Sequence, residues 1–484
     1  MRKTNLSLKE KTAQGLMWGG FSNGLQQLLN LFFGIWMSRI LSVSDYGVIG
    51  VLTIFTLIAT TLQESGFTQA IANKKDATVK DFNAIFWCSS SVGIFLYVIL
   101  YFAAPLIADF FHMSELTKLS RFLFLGFLLS SFGTAYNAYL FKHLMVKQRS
   151  LSILIGLLTS GIVGITLAYN GYAYWGLATQ HLTYVLTTNF LFFIFSQWRP
   201  SFDFSFSTIR ELLPMSSIIL ITKIFTHINE HIFNIIIGRL YNKVEVGYFS
   251  QSNKWNLMGS SIITGMIHGV AQPVLRNVES ETQRLKRVFL KLMRFTAFVS
   301  FPLLFGLAYI APEFIEIALT NKWLPSAFIL QILCIGGAFI PINNLFGNLL
   351  ISQGKSINYM WTTISIGLLQ VAIALLLYPK GIQTMIIGAV GVQIIGTLIW
   401  FNFARKQIKL KLREFLKEII PYAFTVIIAI LLSNYIISSD SNLLLKLFLK
   451  ILIVGVIYLT ILAICRASIL RECYAYIRKS IFKR

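Results

Sequence analysis

Lys223, His227, Glu230 and Asn234 stand at i, i+4, i+7 and i+11 inside an otherwise apolar stretch, with His231 beside them. That spacing returns each side chain to one face of an α-helix. Ionisable groups inside an apolar span are costly to bury, so by default they mark a cavity, an ion path or a proton relay. The competing reading is interhelical hydrogen bonding that only holds a bundle together. Counting inward from Pro214 at about 1.5 Å per residue puts His227 near the middle of a membrane-length helix and Glu230 slightly beyond it. Asn23, Gln27 and Asn30, 200 residues upstream of Lys223, His227 and Glu230, make an uncharged counterpart. Both stripes are expected to line a substrate cavity, with the charge on the second.

Other chemistry-bearing residues are more scattered. Lys254 lies at a depth similar to Glu230, so an ion pair between them is one expectation and a snorkelling lysine the other. Glu64, in Gln63-Glu64-Ser65-Gly66, joins Glu230 and His231 as a candidate for proton or sodium coupling; an interfacial carboxylate in water is its alternative. Asn343 and Asn344, with Asn348, form a polar patch suited to sugar hydroxyls or to helix contacts. His181 and His268 read as packing histidines. The run His227-Ile228-Asn229-Glu230-His231 matches H-x-x-E-H, in which two histidines one turn apart bind zinc, but a third ligand is missing, so no metal is expected. Gly354-Lys355-Ser356 ends like a phosphate loop, yet Leu349 stands where that motif needs glycine. No cofactor is expected, and an enzyme is not.

The elements that must hold these residues are transmembrane helices. Hydrophobic residues make up 56% of the 484-residue chain, and its mean hydropathy is +0.69, values of the membrane class. Runs long enough to cross about 30 Å of hydrocarbon number about fourteen: 12–40, 46–71, 82–108, 119–140, 151–169, 172–195, 214–238, 247–270, 288–310, 324–352, 357–378, 382–403, 419–437 and 443–465. A net charge of +23 would suggest nucleic acid in a soluble protein, but here position excludes it. Lys and Arg gather in alternate connections and at both termini, as in Lys74 and Lys80, Lys142 to Arg149, Arg276 to Arg287, and Arg405 to Lys417. This is the positive-inside bias, and it predicts that both termini are cytoplasmic. The first run is too long and continuous for a cleavable signal peptide. Cys88, Cys334, Cys465 and Cys473 show no C-x-x-C spacing, which suggests neither a disulfide framework nor a metal cluster.

The chain repeats itself at an offset of 200: Arg39, Asp45 and Gly47 recur as Arg239, Glu245 and Gly247. Asn137, Arg149 and Ser150 recur at an offset of 206 as Asn343, Lys355 and Ser356. Six spans separate the copies, so both have the same orientation and the repeat is parallel, related by an axis along the membrane normal. The expected architecture is all-α and polytopic: a lobe of spans 1–6 over residues 1–208, and a lobe of spans 7–12 over 209–407. Residues 408–484 add a basic cytoplasmic connector along the inner surface and two further C-terminal spans.

The run Asn234-Ile235-Ile236-Ile237-Gly238-Arg239, then Gly247-Tyr248-Phe249 and Gln272-Pro273-Val274, resembles the Wzx-type polysaccharide flippases of the MOP exporter superfamily. Gly15 to Gly20, Ser38-Arg39-Ile40-Leu41 and Asp45-Tyr46-Gly47 are similar to the same family's first hairpin. Members typically carry an acidic residue just before the isoleucine run, where this chain has Phe233; Glu230 stands one turn earlier. The resemblance implies a bacterial inner-membrane flippase that moves undecaprenyl-diphosphate-linked oligosaccharide by alternating access, for capsule, exopolysaccharide or O-antigen. It also implies an ion gradient (H+ or Na+) or membrane potential as the drive, and a polysaccharide polymerase as partner. A multidrug or small-molecule antiporter of the same superfamily is the main alternative, and an intramembrane zinc protease a remote one.

Overall fold

The computed structural model describes residues 8–64, 67–68, 71, 74, 76–203, 205–279, 281–437 and 442–472, and omits some side chains within them, that of His268 among these. Gly66, Cys473 and the outermost basic clusters lie outside the described residues. The architecture is all-helical, and no strand occurs among the described residues. This is what a hydrocarbon solvent demands, because a helix satisfies its backbone groups within one segment. Among the described residues, ten helices are long and apolar enough to cross a membrane, counting one broken pair as a single span, against the about fourteen runs read from the sequence.

The chain divides into two compact units, Met1–Gly247 and Tyr248–Arg484. The first holds α1 (Leu8–Ile40), α2 (Val43–Glu64), α3 (Val79–Phe111), α4 (Leu116–Lys142), α5 (Val146–Tyr169), α6 (Tyr174–Phe195) and α7 (Phe206–Leu240). Small residues let these helices approach closely. Gly161 of α5 admits the Phe33 ring of α1, and Gly126 of α4 admits the His181 ring of α6. His181 is thereby a packing residue. Helix α7 lies against α2 and α3 in this unit, so the compact division falls after the 208/209 boundary drawn from the repeat.

The second unit holds most of α8 (Lys243–Asn277), then α9 (Thr282–Leu319), α10 (Pro325–Gly337), α11 (Ile340–Ser352), α12 (Ser356–Leu377), α13 (Ile382–Ile408), α14 (Leu412–Ile436) and α15 (Leu443–Ile464). The run read as one span over 324–352 is broken between α10 and α11. Pro341 has no N–H to offer the Gly337 carbonyl. Hydroxyls replace the lost donors: Ser260 Oγ donates to Gly337 O at 3.3 Å, and Ser300 Oγ to Ala338 O at 2.7 Å. The basic stretch expected to lie along the surface is instead shared between two helix ends, with only 409–411 between α13 and α14.

Candidate functional site

The repeat is carried by two helix starts of the same design. Helices α1 and α7 end at Ile40 and Leu240, and α2 and α8 begin at Val43 and Lys243, so the boundaries keep the 200-residue offset. Ser42 caps α2: its Oγ accepts from Asp45 N–H at 3.2 Å while the Asp45 carboxylate accepts from Ser42 N–H at 2.9 Å, a reciprocal capping box. Asn242 caps α8, its Oδ1 accepting from Val244 and Glu245 N–H at 2.9 and 3.0 Å. Burial of the half-exposed Glu245 raises its carboxyl above the ordinary range. The glycines complete the pattern. A Cβ on Gly47 would strike the backbone of Lys243, and a Cβ on Gly247 would strike the backbone of Val43. The two contacts exchange equivalent residues of the two copies, as a two-fold relation between the helix starts requires. Arg239 donates to His112 Nε2, and its guanidinium lies 5.2 Å from the centroid of the Phe110 ring.

Two of the predicted charges meet across α2 and α7. Lys223 Nζ lies 3.7 Å from Glu64 Oε2, and both side chains are about one-third exposed (35% each). Glu64 also lines a cavity of about 220 Å³ between α2, α4, α5 and α6, with Thr134, Asn137, Arg149, Tyr184 and Asn189. Arg149 Nε donates to Asn137 Oδ1 at 2.9 Å. Gln63 Nε2 donates to Thr134 Oγ1, while its Oε1 is buried with no hydrogen-bond partner. One carboxylate is thus bordered by a lysine and an arginine. Such an arrangement can exchange partners at a small cost, since a half-exposed pair is worth only about 0–1 kcal/mol.

The rest of the α7 stripe divides. His227 Nδ1 stands 3.7 Å from Glu230 Oε2 within one turn, beyond hydrogen-bond distance, and Nδ1 of both His227 and His231 is buried without a hydrogen-bond partner. Asn234 is 3% exposed, and its Nδ2 donates to Gly50 O at 3.0 Å. It therefore clamps α7 to α2 instead of lying on an open face. On α1 the split is sharper. Ser22, Phe33 and Met37 form the packed face, and Phe21, Leu28, Phe32 and Trp36 are exposed on one flank of it. At about 100° per residue, Asn23, Gln27 and Asn30 fall on the opposite flank with Gly20 and Gly24, where Asn23 and Asn30 are also exposed. One exposed flank of the helix is thus apolar, and the other mixes Asn23, Gln27 and Asn30 with glycines and Leu31.

In the second unit Asn344 Nδ2 donates to Thr264 Oγ1 at 3.3 Å, and Asn343 Oδ1 is buried without a hydrogen-bond partner. The exposed Lys254 has its Nζ 5.8 Å from the centroid of the Trp255 ring. Two charged clusters that sequence reasoning passes over join the last helices to α9. Arg294 grips Glu418 of α14 through Nε at 2.6 Å and Nη2 at 2.8 Å. Glu313 meets Lys450 of α15 at 2.7 Å and Lys446 at 3.4 Å. The signal for Glu313 was present: it is a carboxylate inside an apolar run, which by itself predicts a partner. Asn137 was visible only as a member of the 206-residue repeat, and Arg149 only there and in the basic cluster Lys142 to Arg149.

The model of a family described as "Polysaccharide biosynthesis protein" matches residues 36–328. An uncharacterized membrane protein in the cps region of Klebsiella pneumoniae is 27% identical over 99% of this chain and 100% of its own length. The lipopolysaccharide biosynthesis protein WzxC of Escherichia coli K12 is 23% identical over 81% of each chain. The teichuronic acid biosynthesis protein TuaB of Bacillus subtilis is 23% identical over 72% of this chain and 73% of its own. Among solved structures, the lipid II flippase MurJ in an inward closed conformation superposes with a TM-score of 0.78 at 16% identity, covering 94% of this chain and 100% of that one. An inward-facing multidrug resistance MATE transporter of the MOP superfamily gives 0.67 at 18% identity, covering 79% and 94%.

Proposed function

The chain belongs to the polysaccharide biosynthesis protein family, and from that premise we propose that it is a Wzx-type flippase of undecaprenyl-diphosphate-linked oligosaccharide. In this reading it acts in the bacterial inner membrane, with both termini cytoplasmic, and works by alternating access. The observation that carries the reading is the Glu64 site: a carboxylate that lines a partly polar cavity with Arg149 and meets Lys223 of α7, within a unit of long apolar helices. A diphosphate is a stronger partner for Lys223 than a carboxylate 3.7 Å away. Arrival of the substrate head group would draw Lys223 off Glu64. The freed carboxylate then needs a compensating cation, H+ or Na+, which couples an ion to the substrate. Asn23, Gln27 and Asn30 supply amide hydrogen bonds for sugar hydroxyls, and His227 and Glu230 extend the charged stripe.

The test is a deletion in the native host. The expected result is loss of surface polysaccharide together with accumulation of the lipid-linked repeat unit. Unchanged glycan with increased drug sensitivity would instead support a small-molecule antiporter. The likeness to the multidrug transporter favours that second reading, but it leaves about a fifth of this chain without a counterpart. A partner polymerase is a further part of the proposal; co-purification with the polymerase of the same polysaccharide would support it.

A further inference from the structure

A recess of about 350 Å³ lies on the first unit, lined by Phe55 of α2, Leu106, Phe110 and Phe111 of α3, and Ile235 of α7. Its lining is almost wholly apolar, and Leu106 and Phe110 are 70% and 48% exposed. The local cause lies in α3. Pro105 offers no N–H to the Tyr101 carbonyl, which accepts from Arg121 Nε at 3.2 Å instead. The recess spans this proline, with Ala103 before it and Leu106 after it in its lining.

Two cations follow Ile235, Arg239 in the last turn of α7 and Lys243 at the start of α8, and they differ in kind. Lys243 is neutralised by Glu115 at 2.7 Å. Arg239 meets an imidazole nitrogen, His112 Nε2, and the face of Phe110, a ring that itself lines the recess. Among the described residues no carboxylate lies within ion-pair distance of Arg239. An uncompensated guanidinium at the rim of an aromatic recess is complementary to an amphiphile with an anionic head and an apolar chain. The planar fork of arginine suits phosphate oxygens, and the ring face beneath it leaves the other donors free.

We infer that this recess is a docking site for the polyprenyl diphosphate carrier in the outer leaflet, with the first isoprene units against Phe55, Phe110 and Phe111 and the diphosphate on Arg239. The inference rests on the flippase reading, in which the carrier must pass to that leaflet after transport. The ring faces of Phe55, Phe110 and Phe111 offer an apolar wall on which a methyl-branched chain can pack. The site would hold the product lipid beside the protein before it diffuses away.

The experiment uses the purified full-length protein in nanodiscs and a diazirine-bearing polyprenyl diphosphate. Wild type is expected to be photolabelled on the peptide containing residues 102–111. Ile235→Trp, which fills the recess, and the more exposed Leu106→Trp should each cut that labelling about tenfold, and Arg239→Gln about threefold or more. Elution as a monodisperse peak and an unshifted melting curve separate site loss from misfolding. A diazirine polyprenol lacking the diphosphate should label weakly. Equal labelling by the polyprenol, displacement by phosphatidylglycerol at equal mole fraction, or no effect of either tryptophan would overturn the inference. Absence of labelling while the deletion strain accumulates lipid-linked repeat units would sink this site and leave the flippase reading standing. Labelling with unchanged glycan in the deletion strain would do the reverse.

Discussion

The buried pair Glu313–Lys450 gives a sharp energetic prediction. Glu313 and Lys450 side chains are 5% and 9% exposed, and the ion-pair distance is 2.7 Å. Glu313→Gln would leave the Lys450 ammonium with the Tyr309 carbonyl at 3.4 Å and the Tyr309 ring at 4.3 Å, neither an anion. Breaking a buried pair from one side typically costs about 3–5 kcal/mol, because a charge is left uncompensated. Lys450→Met should cost less, about 2–3 kcal/mol by the same principle, since Lys446 remains 3.4 Å from the carboxylate. The double variant removes both buried charges, while Lys446 is 29% exposed and can reach water. Its expected destabilisation is within about 1 kcal/mol of wild type, smaller than that of either single change. Thermal unfolding in detergent at one fixed scan rate, followed by tryptophan fluorescence, provides the readout, because such unfolding is commonly irreversible. At roughly 2–4 °C per kcal/mol for a unit of about 240 residues, Glu313→Gln should lower the midpoint on the order of 10 °C. A double variant as unstable as Glu313→Gln, or a single variant that melts with wild type, would refute the reasoning.

The Glu64 site predicts that Glu64→Lys and Lys223→Glu each abolish complementation of polysaccharide export, and that the exchanged pair restores a measurable part of it; an exchanged pair as inactive as the singles would show that the contact is not used. Gly47→Ala and Gly247→Ala should each cost about 1–3 kcal/mol by overpacking against backbone, whereas Gly24→Ala, with nothing within 4 Å of its Cβ, should melt with wild type. Loss of the caps in Ser42→Ala and Asn242→Ala should cost about 1 kcal/mol each, read as matching shifts in the melting midpoint. The Lys243 hydrogen bond holds the Glu115 carboxyl below its usual range. Its contribution is present above the ordinary carboxylate pKa and is lost as pH falls through the depressed folded value. Lys243→Gln should flatten that acid limb by about 0–1 kcal/mol, measurable as melting midpoint against pH.

Much of the fold was legible because lipid makes hydropathy a strong signal. The all-helical architecture and the 200-residue offset follow from local pattern, whereas the helices that begin at Val43 and Lys243 start three and four residues before the apolar runs at 46 and 247, because their capped first turns are polar. The motif glycines were readable as a repeat, but their reciprocal clash with Val43 and Lys243 was not, because it requires two helices to meet. The stripe on α7 was correctly placed on one helix. Periodicity gives a face, however, and not what that face meets: Lys223 found Glu64, and Asn234 found the Gly50 carbonyl.

By itself, then, the sequence determined that this is a membrane-embedded helical protein with a duplicated hairpin and charge concentrated in the second copy. Those properties are sums over local composition and spacing, and they need no long-range contact. Only the tertiary structure decided the pairings: Glu64 with Lys223, Arg149 with Asn137, Arg294 with Glu418, and Glu313 with Lys450. A charged side chain in an apolar span must find a partner, but the identity of that partner depends on which helices pack together and at what depth. Likewise Pro341 marked a weak point in its helix, and the hydroxyls of Ser260 and Ser300 from neighbouring helices made a stable break there.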